Sequence, residues 1–287
     1  LFRNRLQRRD IPVVTHRPTR GYPTDVDRIV SDEGYGANAY VETAQPLVVV
    51  TGPGPGSGKL ATCLNQMYHD HRRGIRSGYA KFETFPIWNL PLNHPVNIAY
   101  EAATADLADV NLIDPFHVEA YGETVVNYNR DVEAFPVVRK ILERITGGNS
   151  VYRSPTDMGV NRAESGITDD EAVRRAAREA VIRRYFRYSS EYVLGLVEKS
   201  TVQRAERILE KLDLKPEDRR VVEPAREAAR QAQQTGKGNE GIYCGAAIEL
   251  GDGTIVLGKN SPLMHAASSL VMNAVKHLAR VPDAIHL

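Results

Sequence analysis

The sequence predicts an α/β protein of several domains, with a mostly parallel-sheet part, a helical part and a small second α/β part. Three observations predict it. The run "PLVVV", Pro46 to Val50, is short, apolar and β-branched, the mark of a strand buried on both faces. A glycine-rich loop and a stretch of helical spacing follow it directly. From Thr168 the texture turns to long helical stretches, and from residue 237 to a hairpin and one more helix. The boundaries follow: an α/β part at 1–167, a helical part at 168–236, and a small α/β part at 237–287 that reads as truncated.

"LFRNRLQRRD" reads as the end of a helix and "IPVVTH" as a short strand. "DRIVSDEGYG" holds another short strand, and "ANAYVET" a helical turn. In "KLATCLNQMYHDHRRG", Leu60, Cys63 (or Leu64) and Met67 share one side of a helix that Gly74 stops. "SGYAKFETFPIWNLPLNHPVN" has three prolines and no period, an irregular stretch of the kind that lines a site. "IAYEAATADLADVN" is a helix. "LIDPFHVEAYG" and "ETVVNYNRDVEAF" mix strands and loops, and "PVVRKILERITGG" is a helix entered at Pro136 and left at Gly147 or Gly148. Thr168 and Glu171 form a capping box before the long helix, and Ser200 with Gln203 repeats it. A third helix starts at Pro216 and breaks at Pro224. "GIYCGAAIELGDGTIVLGKNS" is a hairpin around "GDG", and "PLMHAASSLVMNAVKHLARV" a last helix.

Composition excludes several classes. With 287 residues, 42% of them apolar, the chain can bury a real core without staples. A net charge of +1 gives no global field for nucleic acid or an anionic membrane. In "RRYFR", residues 183–187, the arginines fall on more than one helix face, so no nucleic acid is expected as partner. No stretch reaches the roughly 18 apolar residues of a membrane helix, and no signal peptide is visible, which predicts a cytoplasmic protein away from membranes. Cys63 and Cys244 are the only cysteines, too few for a disulfide framework or a thiolate zinc site; both read as small buried hydrophobes. The start at Leu1 without Met and the abrupt finish read as a fragment or a processed chain.

"TGPGPGSGK", Thr51 to Lys59, is the sharpest signal. Between a strand and a helix, Gly52, Gly54, Gly56, Ser57, Gly58 and Lys59 can hold a phosphate. Small residues let backbone N–H groups converge, the helix start adds its donors, and Lys59 adds a charge. The pattern departs from G-x-x-x-x-G-K-[ST] at Pro53, where the first glycine belongs, and at Leu60, where the Mg²⁺ hydroxyl belongs. A plain turn whose glycines permit tight packing is the competing reading.

Downstream lie groups suited to proton transfer or to Mg²⁺ accompanying a nucleotide or phosphorylated ligand. "DPFHVE" offers Asp114, His117 and Glu119, the last two on one side if the stretch is a strand, and "NYNRDVE" offers Asp131. Their spacing matches no metal signature, so the metal stays unassigned. Asp106 and Asp109 share a helix side and read as a solvated face. Lys81, Glu83, Trp88, Asn89, His94 and Asn97, with Thr156, Asp157 and Asn161, suggest a polar cleft beside the glycine loop. Deaminase chemistry is disfavoured: Ala267 stands where H-x-E needs its glutamate, and no Pro-Cys-x-x-Cys follows. G-x-S-x-G and H-E-x-x-H are absent.

The stretches "DRIVSDEGYG", "PLVVVTGPGPGSGKLATCLNQMYHD", "GYAKFETFPIWNLPLNHPVNIAYEAATADLADVNLIDPFH", "NYNRDVE", "SPTDMGVN" and "GKNSPLMHAASS" carry a resemblance over nearly the whole chain. They closely resemble the bacterial family described as domain of unknown function 1846 (uncharacterised protein family 0371). The resemblance implies a cytoplasmic bacterial protein, members longer at both ends, and a multidomain α/β layout with an inserted helical part. It implies no agreed activity and no catalytic residues.

Function then reads as an enzyme binding a nucleotide or phosphorylated metabolite through the glycine-rich anion loop. The alternative is a non-catalytic metabolite-binding or oligomeric scaffold protein. A homo-oligomer is expected from the helical part, where Tyr185, Tyr188 and Tyr192 lie close to arginines.

Overall fold

The fold is described from a computed structural model, over residues 2–54, 56–82, 88–160, 164–282 and 285. The chain divides into two compact units, Leu1–Val173 and Arg174–Leu287.

In the first unit the elements are α1 (Phe2–Gln7), α2 (Val26–Ile29), α3 (Lys59–Arg72), β1 (Lys81–Phe82), α4 (Pro95–Ala103), β2 (Asn111–Ile113), α5 (Pro115–Tyr121), β3 (Val126–Tyr128), α6 (Asn129–Thr146), α7 (Pro155–Met158) and β4 (Gly159–Val160). Its core is built by two helices. Leu64, Met67 and Tyr68 of α3 and Phe135, Val138, Ile141 and Leu142 of α6 recur at three- and four-residue spacing. Ile29, Tyr35 and Met158 complete the cluster. Burying each such side chain contributes about 1.5–3 kcal/mol. That stripe explains why α6 begins seven residues before Pro136, which lies inside the helix instead of opening it. An internal proline costs roughly 3 kcal/mol, and the buried stripe on both sides of it offsets that. Gly147 ends the helix in the left-handed conformation, as the sequence predicts.

The mostly parallel-sheet architecture is not observed. Helices dominate, and among the described residues the strands form three two-stranded ladders. β2 with β3 and β5 with β6 are antiparallel, and the one parallel pair, β1 with β4, is two residues long. Leu47 and Val49 of the apolar run are 80% and 81% exposed, and no strand is assigned there. A parallel strand needs neighbours on its edges and layers on both faces; among the described residues this run has neither. "IPVVTH" is likewise irregular, and "DRIVSDEGYG" forms α2 and a 3₁₀ turn instead of a strand.

The second unit continues α8 (Asp170–Val193), which starts in the first, and adds α9 (Lys199–Lys211), α10 (Val222–Gln234), β5 (Gly245–Glu249), β6 (Ile255–Lys259) and α11 (Ala266–Leu278). Val181, Ile182, Ala205, Ile208, Leu209, Ala228 and Ala232 are buried. α10 and α11 pack on the predicted hairpin at very close range. A Cβ on Gly245 would lie 2.0 Å from the Ala225 carbonyl oxygen, and one on Gly258 2.4 Å from the Leu270 nitrogen. Pro224 sits in the first turn of α10, where no intrahelical N–H bond is lost, so it does not break the helix. Among the described residues no helix is long and apolar enough to cross a membrane.

Candidate functional site

The glycine loop ends where α3 begins. Gly58 is the N-cap, with φ 87°, and its cap carries no side-chain hydrogen bond. The first-turn N–H groups therefore have no capping side chain, and the helix dipole points its positive end at the loop. Gly56 is also left-handed, at φ 69°. Gly54, Gly56 and Gly58 each face open space on the side a Cβ would take. Gly52 faces inward: a Cβ there would meet Ser57 Oγ at 2.4 Å, so the loop closes on itself at this point. Lys59 folds back over it. Its Nζ donates to the Gly54 carbonyl at 2.7 Å and to Ser57 Oγ at 3.1 Å. Among the described residues no carboxylate pairs with Lys59.

Asp114 is completely buried and caps α5. Its Oδ1 accepts the N–H groups of Phe116 (3.0 Å) and His117 (3.1 Å). Its Oδ2 accepts the N–H (3.2 Å) and hydroxyl (2.6 Å) of Thr156, on α7. Asn127 donates to the same Thr156 hydroxyl at 3.2 Å. The stretch around His117 is a helix, not a strand, because Asp114 and Pro115 start one. His117 and Glu119 consequently part company: His117 turns inward and Glu119 lies exposed. His117 Nδ1 is 2.9 Å from Ser154 Oγ, which also accepts the Asp157 N–H at 3.1 Å in a capping box. This Ser–His pair is closed in and serves the start of α7.

A second polar group surrounds Tyr128. Lys81 Nζ donates to Tyr128 Oη and to Asp131 Oδ2, the latter at 2.6 Å. Arg130 pairs with Asp109 at 2.8 Å, and Tyr100 donates to the same carboxylate at 3.1 Å. Asp109 is therefore buried and paired, not part of a solvated face; α4 has ended at Ala103, before Asp106. β3 and the start of α6 set this geometry by placing Tyr128, Arg130 and Asp131 within four residues of chain.

His94 caps α4: its Nδ1 accepts the Val96 N–H at 3.2 Å, while its Nε2 reaches Asp170 at 2.9 Å. The first requires an unprotonated Nδ1, so Nε2 carries the proton and donates. No hydrogen bond or ion pair between described residues joins Lys81 or His94 to the glycine loop. Glu83 and Asn161 lie outside the described residues. The sequence reading missed the Asp114–Thr156 joint; Asx-Pro and Ser-Pro at 114–115 and 154–155 mark the two helix starts but not their pairing.

Among the described residues no three His, Cys, Asp or Glu side chains are grouped to hold a metal. Asp114 and Asp131 do not fit a protein-held Mg²⁺, since four donors occupy the first and Lys81 the second. Both cysteines are free, Cys63 half-buried and Cys244 exposed just before β5, contrary to the buried strand position expected of it. Burial pushes the Cys63 thiol up. Tyr188 is buried, which removes it from the tyrosines expected at an interface.

Residues 1–213 match the N-terminal part of the family "Domain of unknown function DUF1846", and residues 217–287 its C-terminal part. A UPF0371 protein of Clostridium botulinum (strain Langeland / NCTC 10281 / Type F) is 57% identical over 288 residues, covering 100% of this chain and 57% of the relative. A UPF0371 protein of Clostridioides difficile (strain 630) is 57% identical over 287 residues with the same two coverages. The chain thus spans a little over half the length of these curated relatives.

Proposed function

We propose that this chain, which belongs to the DUF1846 family, is the phosphate-binding part of a cytoplasmic enzyme acting on a nucleotide or phosphorylated metabolite. One observation carries the reading. α3 opens on a left-handed glycine with no side-chain cap, and among the described residues the Lys59 ammonium lies over the same loop on neutral acceptors only. An incoming phosphate would replace a carbonyl and a hydroxyl at Lys59 and meet the first-turn N–H groups, with Gly54, Gly56 and Gly58 leaving the approach open. Ser57 adds a hydroxyl at the rim. Of the four acid–base candidates, Asp131 is the one that remains partly accessible in a polar group, held by Lys81; Asp114 and His117 are closed in and Glu119 points outward. Two free cysteines agree with a reducing compartment.

Calorimetry tests the reading. Pyrophosphate, ATP, GTP and glucose 6-phosphate are titrated into the wild type and Lys59→Ala. Charge-assisted bonds contribute about 1.5–3 kcal/mol, so affinity for at least one ligand should fall about tenfold or more. Equal binding to both proteins, or none in the panel, would remove the loop as the site.

A second reading, an oligomeric scaffold, is favoured by the end of α8. Val193, Leu194 and Leu196 are all exposed there. Contiguous exposed aliphatics of this kind mark association surfaces. Light scattering would show a homo-oligomer that Leu194→Glu dissociates.

A further inference from the structure

Leu47 to Val50 lead into the glycine loop as an apolar segment outside any described helix or strand, with Leu47, Val48 and Val49 exposed and Val50 partly covered. Leu47, Val48 and Val49 are 80%, 48% and 81% exposed; paired as a strand, successive residues of the run would face opposite sides. Among the described residues no hydrogen bond reaches the backbone of any of the four. A β-branched run left bare and open along its backbone, which as a strand would be apolar on both sides, has the chemistry of a strand awaiting neighbours.

We propose that Leu47–Val50 is a docking strand, and that its occupant is an apolar β-strand supplied by the length of chain that the family's longer members carry beyond the region shared with this one. Three features select that occupant. The C. botulinum and C. difficile relatives align over the whole of this chain, yet it spans only 57% of each of them. More than two fifths of their length is thus available, enough for a further layered unit. As a strand the segment would be apolar on both sides, so a lone strand at its edge would leave a face wet; a strand that brings its own covering layer does not. A second copy presenting the same bare segment would add one strand and no covering layer. Docking would also fix the chain at Thr51, where the loop begins.

Hydrogen–deuterium exchange read by mass spectrometry tests this on the 287-residue chain and on the full-length C. difficile protein. Amides aligned with Leu47–Val50 should exchange about 100-fold slower in the longer protein, as expected of a stably paired strand. Equal, fast exchange in both overturns the proposal. Protection in the 287-residue chain itself, with a dimer by light scattering, also overturns it and makes a second copy the occupant. As a variant, Val49→Lys at the aligned position should abolish the protection in the longer protein and leave exchange of the shorter chain unchanged. No phosphorylated ligand enters these readouts, so they stand apart from the anion-binding reading.

Discussion

Lys81 and Asp131, fifty positions apart, meet at 2.6 Å with Tyr128 completing the contact. Their side chains are 31% and 24% exposed, so the pair is shielded without being sealed. A double-mutant cycle with Lys81→Met and Asp131→Asn should give a coupling of about 1 kcal/mol, above the usual surface pair and below a buried one. Urea unfolding measures it. A coupling near zero would make the pair incidental and weaken Asp131 as a held acid–base group.

Asp114→Asn should destabilise the protein by about 1.5–3 kcal/mol, because an amide nitrogen would face two of the four donors that the carboxylate accepts. Chemical denaturation is the check. Loss of ligand binding at unchanged stability would instead give Asp114 a functional part.

The loop glycines should separate by role. Gly58→Ala forces a side chain into φ 87° and should cost about 1–2 kcal/mol. Gly54→Ala meets nothing within 4 Å and should leave stability within about 0.5 kcal/mol. Its methyl would stand on the open side of the loop, so affinity for pyrophosphate should fall while the melting temperature holds.

Pyrophosphate binding should be the same in EDTA and in Mg²⁺. Leu60 offers no hydroxyl, Asp114 has no free acceptor position, and Asp131 is paired. Calorimetry in the two buffers decides; a large gain with Mg²⁺ would require ligands other than these.

A limiting thiol reagent should label Cys244 before Cys63. Cys244 is exposed, while burial raises the Cys63 thiol and keeps its reactive thiolate scarce below that raised value. Peptide mapping reads the order, and equal labelling would mean that α3 opens readily.

Much of the helical structure was legible because period and punctuation agreed. α3 runs from Lys59 to the turn before Gly74, α11 and the hairpin appear as read, and Gly147 stops α6. The misreadings share a cause: local pattern yields to what surrounds it. Pro136 looks like a helix start until the stripe through Phe135 and Val138 is buried against α3. "PLVVV" looks like a buried strand, yet burial depends on neighbours that its own residues cannot supply. The candidate residues were visible as types, but their pairing was not. Asp109 with Arg130, and Asp114 with Thr156, are joined by chain reversals that no spacing encodes.

The Asp114 joint also makes two marginal helices one kinetic unit. α5 has seven residues and α7 four, both too short to persist alone in water. Each starts at a carboxylate or hydroxyl that the other side helps to hold: Asp114 takes the donors of Thr156, and Ser154 meets His117. Fraying of either removes the partner of the other. Amides of α5 and α7 should therefore open in a single cooperative step, with one shared opening free energy in place of two.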